Sequence, residues 1–317
     1  VQRRSKPLVT QPSPIELPAA GALRERSAGL KVVPLHAPAT GSNSRPQLDL
    51  AFAAGPDGCT VLRRQHVTYP FHVGRSWTVA GDPDGMLTLY VQSCSGGVFQ
   101  HDDLALRIAA GPGAQVHVTT AAATIVHRMD SAQARQAVTL EAQPGSLLEY
   151  LPDSLILFRG ARLRNELTLR AHPQAVVMAW DAIVPHDPDG NGGAFDWIAS
   201  DLCVQDPAGR VLARDRYLLD GTLLARGIPG VTGPFRCQGA FMVVQRQVPQ
   251  AALVATLRAA LPAARGLYAG ASSLPSDCGA WVRVLAADAL LLRDALQRAW
   301  YSARRLITGT QPRPRRK

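Results

Sequence analysis

Long apolar runs, paired cysteines, aromatic residues and charge are all scarce in this chain. No run of ~18 or more consecutive apolar residues occurs, so no membrane-spanning helix is expected. Val1–Thr10 lacks the apolar stretch that a signal peptide needs. The cysteines, Cys59, Cys94, Cys203, Cys237 and Cys278, are odd in number and widely separated, which excludes a CxxC redox motif and a zinc knuckle. Scattered reduced thiols suit a cytoplasmic protein. The patterns GxxxxGK[ST], HExxH and GxSxG are absent, so nucleotide hydrolysis, zinc proteolysis and α/β-hydrolase chemistry lose their usual sequence support. Charged residues make up 18% and aromatics 6% of the 317 residues.

What is present is enough to fold. A hydrophobic fraction of 46% supplies a core, and a mean hydropathy of -0.01 argues against global disorder. With 27 Gly and 24 Pro the chain is too interrupted to be all helical. The net charge is +10, but Arg3, Arg4, Lys6, Arg304, Arg305, Arg313, Arg315, Arg316 and Lys317 hold nine of those charges near the two ends. A nucleic-acid binder spreads basic residues and aromatics over one folded surface, so neither nucleic acid nor membrane is expected as a partner. Binding of RNA by the basic tail is a minor alternative, and it would weaken steeply with salt.

Residues 1–45 are rich in Pro with little periodicity and read as a poorly ordered leader. Residues 46–310 read as one domain and 311–317 as a basic tail. From Leu48 to about Gln247 short alternating or β-branched runs dominate: Leu48–Ala54, Thr60–Thr68, Met86–Gln92, Leu104–Ala110, Gln115–Thr120, Thr124–Arg128, Ala137–Glu141, Leu155–Phe158 and Arg162–Leu169. Turns such as Gly111-Pro112-Gly113 and Pro144-Gly145 separate them. Hairpins and stacked β-coils both fit, and no fixed-period repeat stands out. Two helices are expected in the last quarter. Ala251–Leu261 carries Leu253, Leu257 and Leu261 on one face, and Leu285–Ile307 carries Leu285, Ala289, Leu292, Leu296, Ala299, Ala303 and Leu306. The plain reading is that this stripe packs on the sheet; the sharper one is that Trp300, Tyr301 and the Arg-rich end offer a partner surface.

Two polar knots have the residue types for metal chemistry. His101-Asp102-Asp103 sits between two strands, and imidazole with carboxylate binds borderline divalent ions. The same residues also suit a turn whose Asp side chains accept backbone N–H groups. Asp181 to Gly193 alternates Asp187, Asp189 and Asn191 like a calcium loop but lacks the required Gly and Glu positions, so it reads as a flexible turn.

Beyond these knots, the order of segments resembles the UreD family, also called UreH, of urease accessory proteins. Arg63-Arg64-Gln65-His66-Val67-Thr68-Tyr69-Pro70-Phe71 resembles an early strand of that family, and Gly96-Gly97 with Asp102 resembles its "GG…GD" turn. Thr119 to Arg128 resembles "TTQAATKVYR", and Leu148-Glu149-Tyr150-Leu151-Pro152-Asp153 with Ile156 and Phe158 resembles "LEWLPQ…I.F". Ala271-Ser272, Val282 to Leu285, Leu292-Arg293 and Trp300 resemble the closing region. The match runs from about Leu48 to Thr310. Departures mark a divergent member: His101 replaces a Gly, Ala121, Ile125 and His127 replace Gln, Lys and Tyr, and Pro185-His186 with Gly193-Ala194 replace "GR…GE".

The resemblance implies a mainly β fold with strands stacked in a helix-like, solenoid-like arrangement and two C-terminal helices. It implies a non-enzymatic scaffold that binds apo-urease, recruits UreF-type and UreG-type accessory proteins, and helps pass Ni²⁺ to the urease active site. No tightly bound cofactor is implied, only transient Ni²⁺ held by oxygen ligands or water. Asp102, His101, Glu149 and Glu166 are the candidates for the nickel passage: Asp102 occupies the family's turn Asp, His101 beside it would add a nitrogen ligand, and Glu149 and Glu166 sit in a β body where a carboxylate must be hydrated, paired or functional. The alternative is a turn Asp bonded to backbone N–H groups with Glu149 and Glu166 in salt bridges to neighbouring arginines. Trp300, Tyr301, Arg304 and Arg305 are the partner-binding candidates. The alternative is a metal-dependent β-solenoid enzyme using His101, Asp102 and Asp103.

Overall fold

The computed structural model describes residues 45–313. The expected leader, apart from its last residue, and residues 314–317 of the basic tail lie outside the described residues. Seventeen strands follow in chain order: β1 Leu48–Ala54, β2 Thr60–Val67, β3 Phe71–Val73, β4 Leu87–Ser93, β5 Asp103–Ala110, β6 Gln115–Thr120, β7 Thr124–Val126, β8 Ala134–Ala142, β9 Leu147–Tyr150, β10 Leu155–Leu157, β11 Arg162–Ala171, β12 Val176–Pro185, β13 Trp197–Gln205, β14 Val211–Asp220, β15 Cys237–Val244, β16 Leu267–Ser273 and β17 Gly279–Ala286. The helices are α1 Gly221–Arg226, α2 Gln250–Ala260 and α3 Ala289–Thr308.

From β4 to β13 the chain winds as a coil between two sheets. One sheet has seven strands in the order β14-β13-β11-β8-β5-β1-β2. The other has ten, with β16-β17-β15-β12-β9-β6-β4-β3 along its path and β7 and β10 off it. Strands one coil apart pair in parallel, as β5 with β8, β8 with β11, and β6 with β9. The corners stack as well. Ala110 aligns with Ala142, and Ala142 with Ala171, and each following turn carries a Pro, at Pro112, Pro144 and Pro173. Gly113 donates to the Pro144 carbonyl at 3.0 Å and Gly145 to that of Gln174 at 3.2 Å. The solenoid-like stacking is therefore built by corner-to-corner pairing, and its signature is a loose Ala-x-Pro spacing rather than a fixed-length repeat.

Three layers result. One apolar core fills the space between the sheets, with Leu50, Ile108, Leu140, Leu163 and Val177 among its buried members. A second lies between the ten-stranded sheet and α2 and α3, with Phe241, Leu253, Leu257, Leu292 and Leu296. β9 lies under both layers, so all four of its residues are buried. Leu148 and Tyr150 join the inter-sheet core and Leu147 the helix-side core, because successive side chains alternate faces.

The expected C-terminal helix Leu285–Ile307 starts later than its periodicity suggests. Leu285 belongs to β17, paired with Gln238 and Tyr268, and the helix begins only after Asp288, whose side chain accepts from Leu290 and Leu291 N–H. Gly309 closes it with φ 74. The short helix α1 falls inside the stretch read as β, and the strand pair β16–β17 separates the two longer helices. Asp181 to Pro185, read as part of a flexible turn, forms the end of β12. No helix among the described residues is long and apolar enough to cross a membrane.

Candidate functional site

The turn before β5 is organised by its own carboxylate. Asp102 Oδ2 accepts the Phe99 N–H at 2.8 Å, while Asp102 N–H donates to the Phe99 carbonyl at 3.1 Å. His101 takes a left-handed backbone with φ 70 and is exposed. Asp103 pairs with Arg135 at 2.9 Å. The acidic groups are thus turned to backbone and guanidinium partners, and among the described residues no group of three or more His, Cys, Asp or Glu side chains converges to hold an ion. The reading of this knot as a backbone-satisfying turn matches the geometry. Gly97 is obligatory nearby, since at φ 145 an added Cβ would lie 2.4 Å from the Ile125 carbonyl oxygen.

Glu149 occupies a different layer. It sits in β9 facing α3, fully buried. Its Oε1 accepts from Trp300 Nε1 at 2.9 Å and Arg304 Nε at 2.8 Å, and its Oε2 accepts from Arg304 Nη2 at 2.6 Å and His117 Nδ1 at 2.7 Å. Arg304 Nη1 reaches Asp82 Oδ1 at 2.6 Å, and its guanidinium lies 5.2 Å from the Trp300 ring centre. Burial by itself would raise the Glu149 pKa, but the Arg304 charge and the His117 contact override it and bring it down to about 2. Every lone pair of the carboxylate that can be reached is occupied, which is how a buried charge is tolerated. Of the four helix residues expected to meet a partner, Trp300 and Arg304 are therefore buried inside this chain, Tyr301 is half-buried and Arg305 is exposed.

Glu166 lies on neither of these faces. In β11, Leu163, Leu167 and Leu169 point into the inter-sheet core, so Glu166 alternates to the outer side, where it meets Arg135 at 2.6 Å. Asp103 and Glu166 are brought together through that shared arginine. His101 and Asp102, Glu149, and Glu166 otherwise stand on three separate parts of the fold.

Between the sheets lies a cavity of about 380 Å³ whose walls include Gln92, Ser93, Tyr150, Asp153, Asn165, Asp181 and Ser200. Across the seven-stranded sheet, Gln136, Asn165, Ser200 and Tyr217 occupy one register line. These are inward positions that the alternation would otherwise fill with apolar residues. Gln136 Nε2 donates to Asn165 Oδ1 at 3.3 Å. From the opposite sheet Asp181 completes the ring: its Oδ2 accepts from Tyr217 Oη at 3.2 Å and its Oδ1 from Ala240 N–H at 3.0 Å. Burial pushes the Asp181 carboxyl up to about 6, against the opposing pull of the Tyr217 and Ala240 hydrogen bonds and the Arg283 charge. Burial and the neighbouring Asp181 raise the Tyr217 phenol well above its usual value, so it stays a donor. Amide, hydroxyl and carboxylate oxygens thus form a hard, weakly charged strip along a cavity whose lining is otherwise largely apolar, and such a strip suits a hydrated divalent cation.

This polar line was not found by motif reading, because it joins one residue from each of four strands. The signal was a polar residue interrupting an inward apolar row, as Asn165 does between Leu163 and Leu167 and Ser200 between Ile198 and Leu202, and it acquires meaning only once register is known.

The chain matches the family model described as UreD urease accessory protein over residues 44–317. It is 47% identical over 268 residues to Urease accessory protein UreD 1 of Pseudomonas syringae pv. syringae (strain B728a), covering 84% of this chain and 94% of that one. Identity to Urease accessory protein UreD 1 of Methylorubrum extorquens (strain PA1) is 37% over 289 residues, covering 90% of this chain and 97% of the relative. For Urease accessory protein UreD of Photorhabdus laumondii it is 30% over 272 residues, covering 84% of each chain. With the family match spanning all the described residues and relatives matched over most of their length, this chain belongs to the UreD family of urease accessory proteins.

Proposed function

We propose that this chain acts in urease maturation as a non-enzymatic scaffold that docks apo-urease and UreF-type and UreG-type accessory proteins and lets Ni²⁺ pass between them. The observation that carries the transfer step is the polar line Gln136, Asn165 and Ser200 along the inter-sheet cavity that Asp181 also lines, with Tyr217 ending the line in a hydrogen bond to Asp181. A cargo ion must be held loosely enough to leave, and one carboxylate among neutral oxygen donors meets that demand where a cluster of thiolates or imidazoles would not. The ion moves with part of its water shell, and the cavity is roomy and carries a polar strip along an otherwise largely apolar lining that can keep water hydrogen-bonded.

The proposed passage uses Asp181 in place of most of the carboxylates singled out by sequence. Glu149 is already committed to Arg304, His117 and Trp300, so its part is to hold the ten-stranded sheet against α3. Asp102 shapes the turn near the cavity's Gly96-Gly97 wall. On α3 the partner-facing part narrows to Tyr301 and Arg305. The alternative of a metal-dependent enzyme at His101, Asp102 and Asp103 is disfavoured by the commitment of Asp102 and Asp103 to Phe99 N–H and Arg135.

The test is Asp181→Asn, which keeps size and most hydrogen bonding but removes the charge. Nickel incorporation into apo-urease, followed with purified accessory proteins, is expected to fall about tenfold while co-purification of the complex is unchanged. Normal incorporation by the variant would remove Asp181 from the passage.

A further inference from the structure

The ten-stranded sheet is wider than its partner, and this mismatch leaves a face uncovered. The seven-stranded sheet ends at β14, whose Asp215 and Tyr217 meet Arg283 on β17. Beyond Arg283 the same face of β17 and β16 continues with Leu285 and its register partner Tyr268. No strand of the seven-stranded sheet covers them. Instead α1 and the loop 227–236 lie alongside and leave a groove of about 810 Å³, walled by Leu224, Arg226, Val231, Phe235, Tyr268 and Leu285.

Three properties of the groove define what fits it. Its apolar members are unusually open: Tyr268 is 70% and Val231 68% exposed, and Phe235 holds Tyr268 in a tilted ring contact at 6.3 Å. Its rim is basic and uncompensated. Arg226 and Arg236 line it and Arg265 shortly precedes Tyr268 in the chain; all three are exposed, none enters an ion pair among the described residues, and no carboxylate is among the wall residues. The nearest acidic side chain in sequence to Leu285, Asp288, is turned to the Leu290 and Leu291 N–H groups of α3. Finally, the wall carries a buried hydroxyl, Thr232 Oγ1, with no hydrogen-bond partner among the described residues, where most buried polar atoms are satisfied.

We infer that this groove is the docking site for an acidic, amphipathic segment of a partner protein, with an apolar side chain seated against Tyr268 and Phe235 and carboxylates on Arg226 and Arg236. An aromatic anchor flanked by arginines is the composition that dominates interface energetics, and a carboxylate-bearing partner supplies the charge this rim lacks. A helix laid in a groove with apolar anchors is a recurring mode for such a segment. The inference rests on the reading that the chain works by docking other proteins, but not on the passage of nickel.

The probe is a fluorescein-labelled amphipathic peptide of Glu, Leu and Tyr, titrated with the full chain and followed by anisotropy. Saturable binding is expected, weakened at least about tenfold by Arg226→Glu with Arg236→Glu and by Tyr268→Ser, and weakened similarly when Gln replaces Glu in the peptide. Thermal melts of the variants should match the wild type, since all three side chains are exposed. Absence of saturable binding, or equal binding by the variants or by the Gln peptide, overturns the inference. Self-association abolished by the same substitutions, without peptide binding, assigns the groove to a second copy and also overturns it. Co-purification of urease accessory proteins is read on the same variants. If wild type and variants co-purify equally, the groove assignment fails and the scaffold reading stands. If the peptide binds as expected but no accessory protein co-purifies, the groove stands and the scaffold reading fails.

Discussion

At the scale of single residues, the molecule places two buried carboxylates in opposite electrostatic settings. Glu149 is stabilised in its charged form by Arg304 and His117, whereas Asp181 is destabilised in its charged form by burial. The folded Glu149 pKa of about 2 lies below its ordinary 4.5, so its contribution is present above pH 4.5 and is lost as pH falls toward 2. Glu149→Gln is expected to lower stability by about 3 kcal/mol at neutral pH, because it leaves Arg304 buried with half its counter-charge. It should also flatten the acid limb of a stability-versus-pH curve measured by urea unfolding. A variant that melts with the wild type would show that the network contributes no net stability. Asp181 runs the other way. Its folded pKa of about 6 exceeds the ordinary 3.8, so folding gains from its protonated state, and that gain declines as pH rises from about 4 through 6. Cation retention in the cavity should rise over the same window as the carboxylate ionises. A Ni²⁺ titration at several pH values, with Asp181→Asn as the flat control, checks this.

At the scale of elements, α3 is fixed by its start and by its buried face. Asp288 accepts two first-turn N–H groups, so Asp288→Ala should destabilise the chain by about 1 kcal/mol, read as a lower midpoint in denaturant. The helix face divides sharply. Arg304 and Trp300 are tied to Glu149 in β9, and their truncation should unfold the helix layer before any partner effect could be measured. Arg305→Glu, at an exposed position, is the cleaner test of the partner surface: co-purification with the UreF-type protein is expected to fall while the melt is unchanged. Retained binding would confine α3 to a structural role. Sequence periodicity found this helix and its apolar stripe, yet it overran into β17 because Leu285 satisfies the helical spacing and the strand alternation alike. Only the cross-strand pairing of Leu285 with Gln238 and Tyr268 separates the two.

At the scale of the whole molecule, the charge balance and the unequal sheets act together. The chain is 18% charged, and the wider sheet leaves Tyr268 and Val231 open to solvent. Isolated protein is therefore expected to self-associate at high concentration and to become monodisperse when bound to a UreF-type partner. Light scattering of the chain alone and in complex checks this, and a monodisperse chain alone at high concentration would count against it.

The sequence by itself determined the local features: the strand runs from Leu48 to Arg162, the turns at Gly111-Pro112-Gly113 and Pro144-Gly145, the stripe of α3, and the family through landmarks such as Gly96-Gly97 and Leu148-Glu149-Tyr150. Each of these is set by contacts within a few residues, or by an ordered string of short motifs, so no knowledge of distant partners is needed. The tertiary structure alone decided what the buried polar residues do. Glu149 and Arg304 are far apart in the chain, and a salt bridge to an arginine was one of two open readings of Glu149 until the meeting of sheet and helix decided it. Gln136, Asn165, Ser200 and Tyr217 became one line only when four strands came into register. A carboxylate's role depends on which charges and dipoles surround it in a low-dielectric interior, and strand pairing, not sequence proximity, assembles those surroundings.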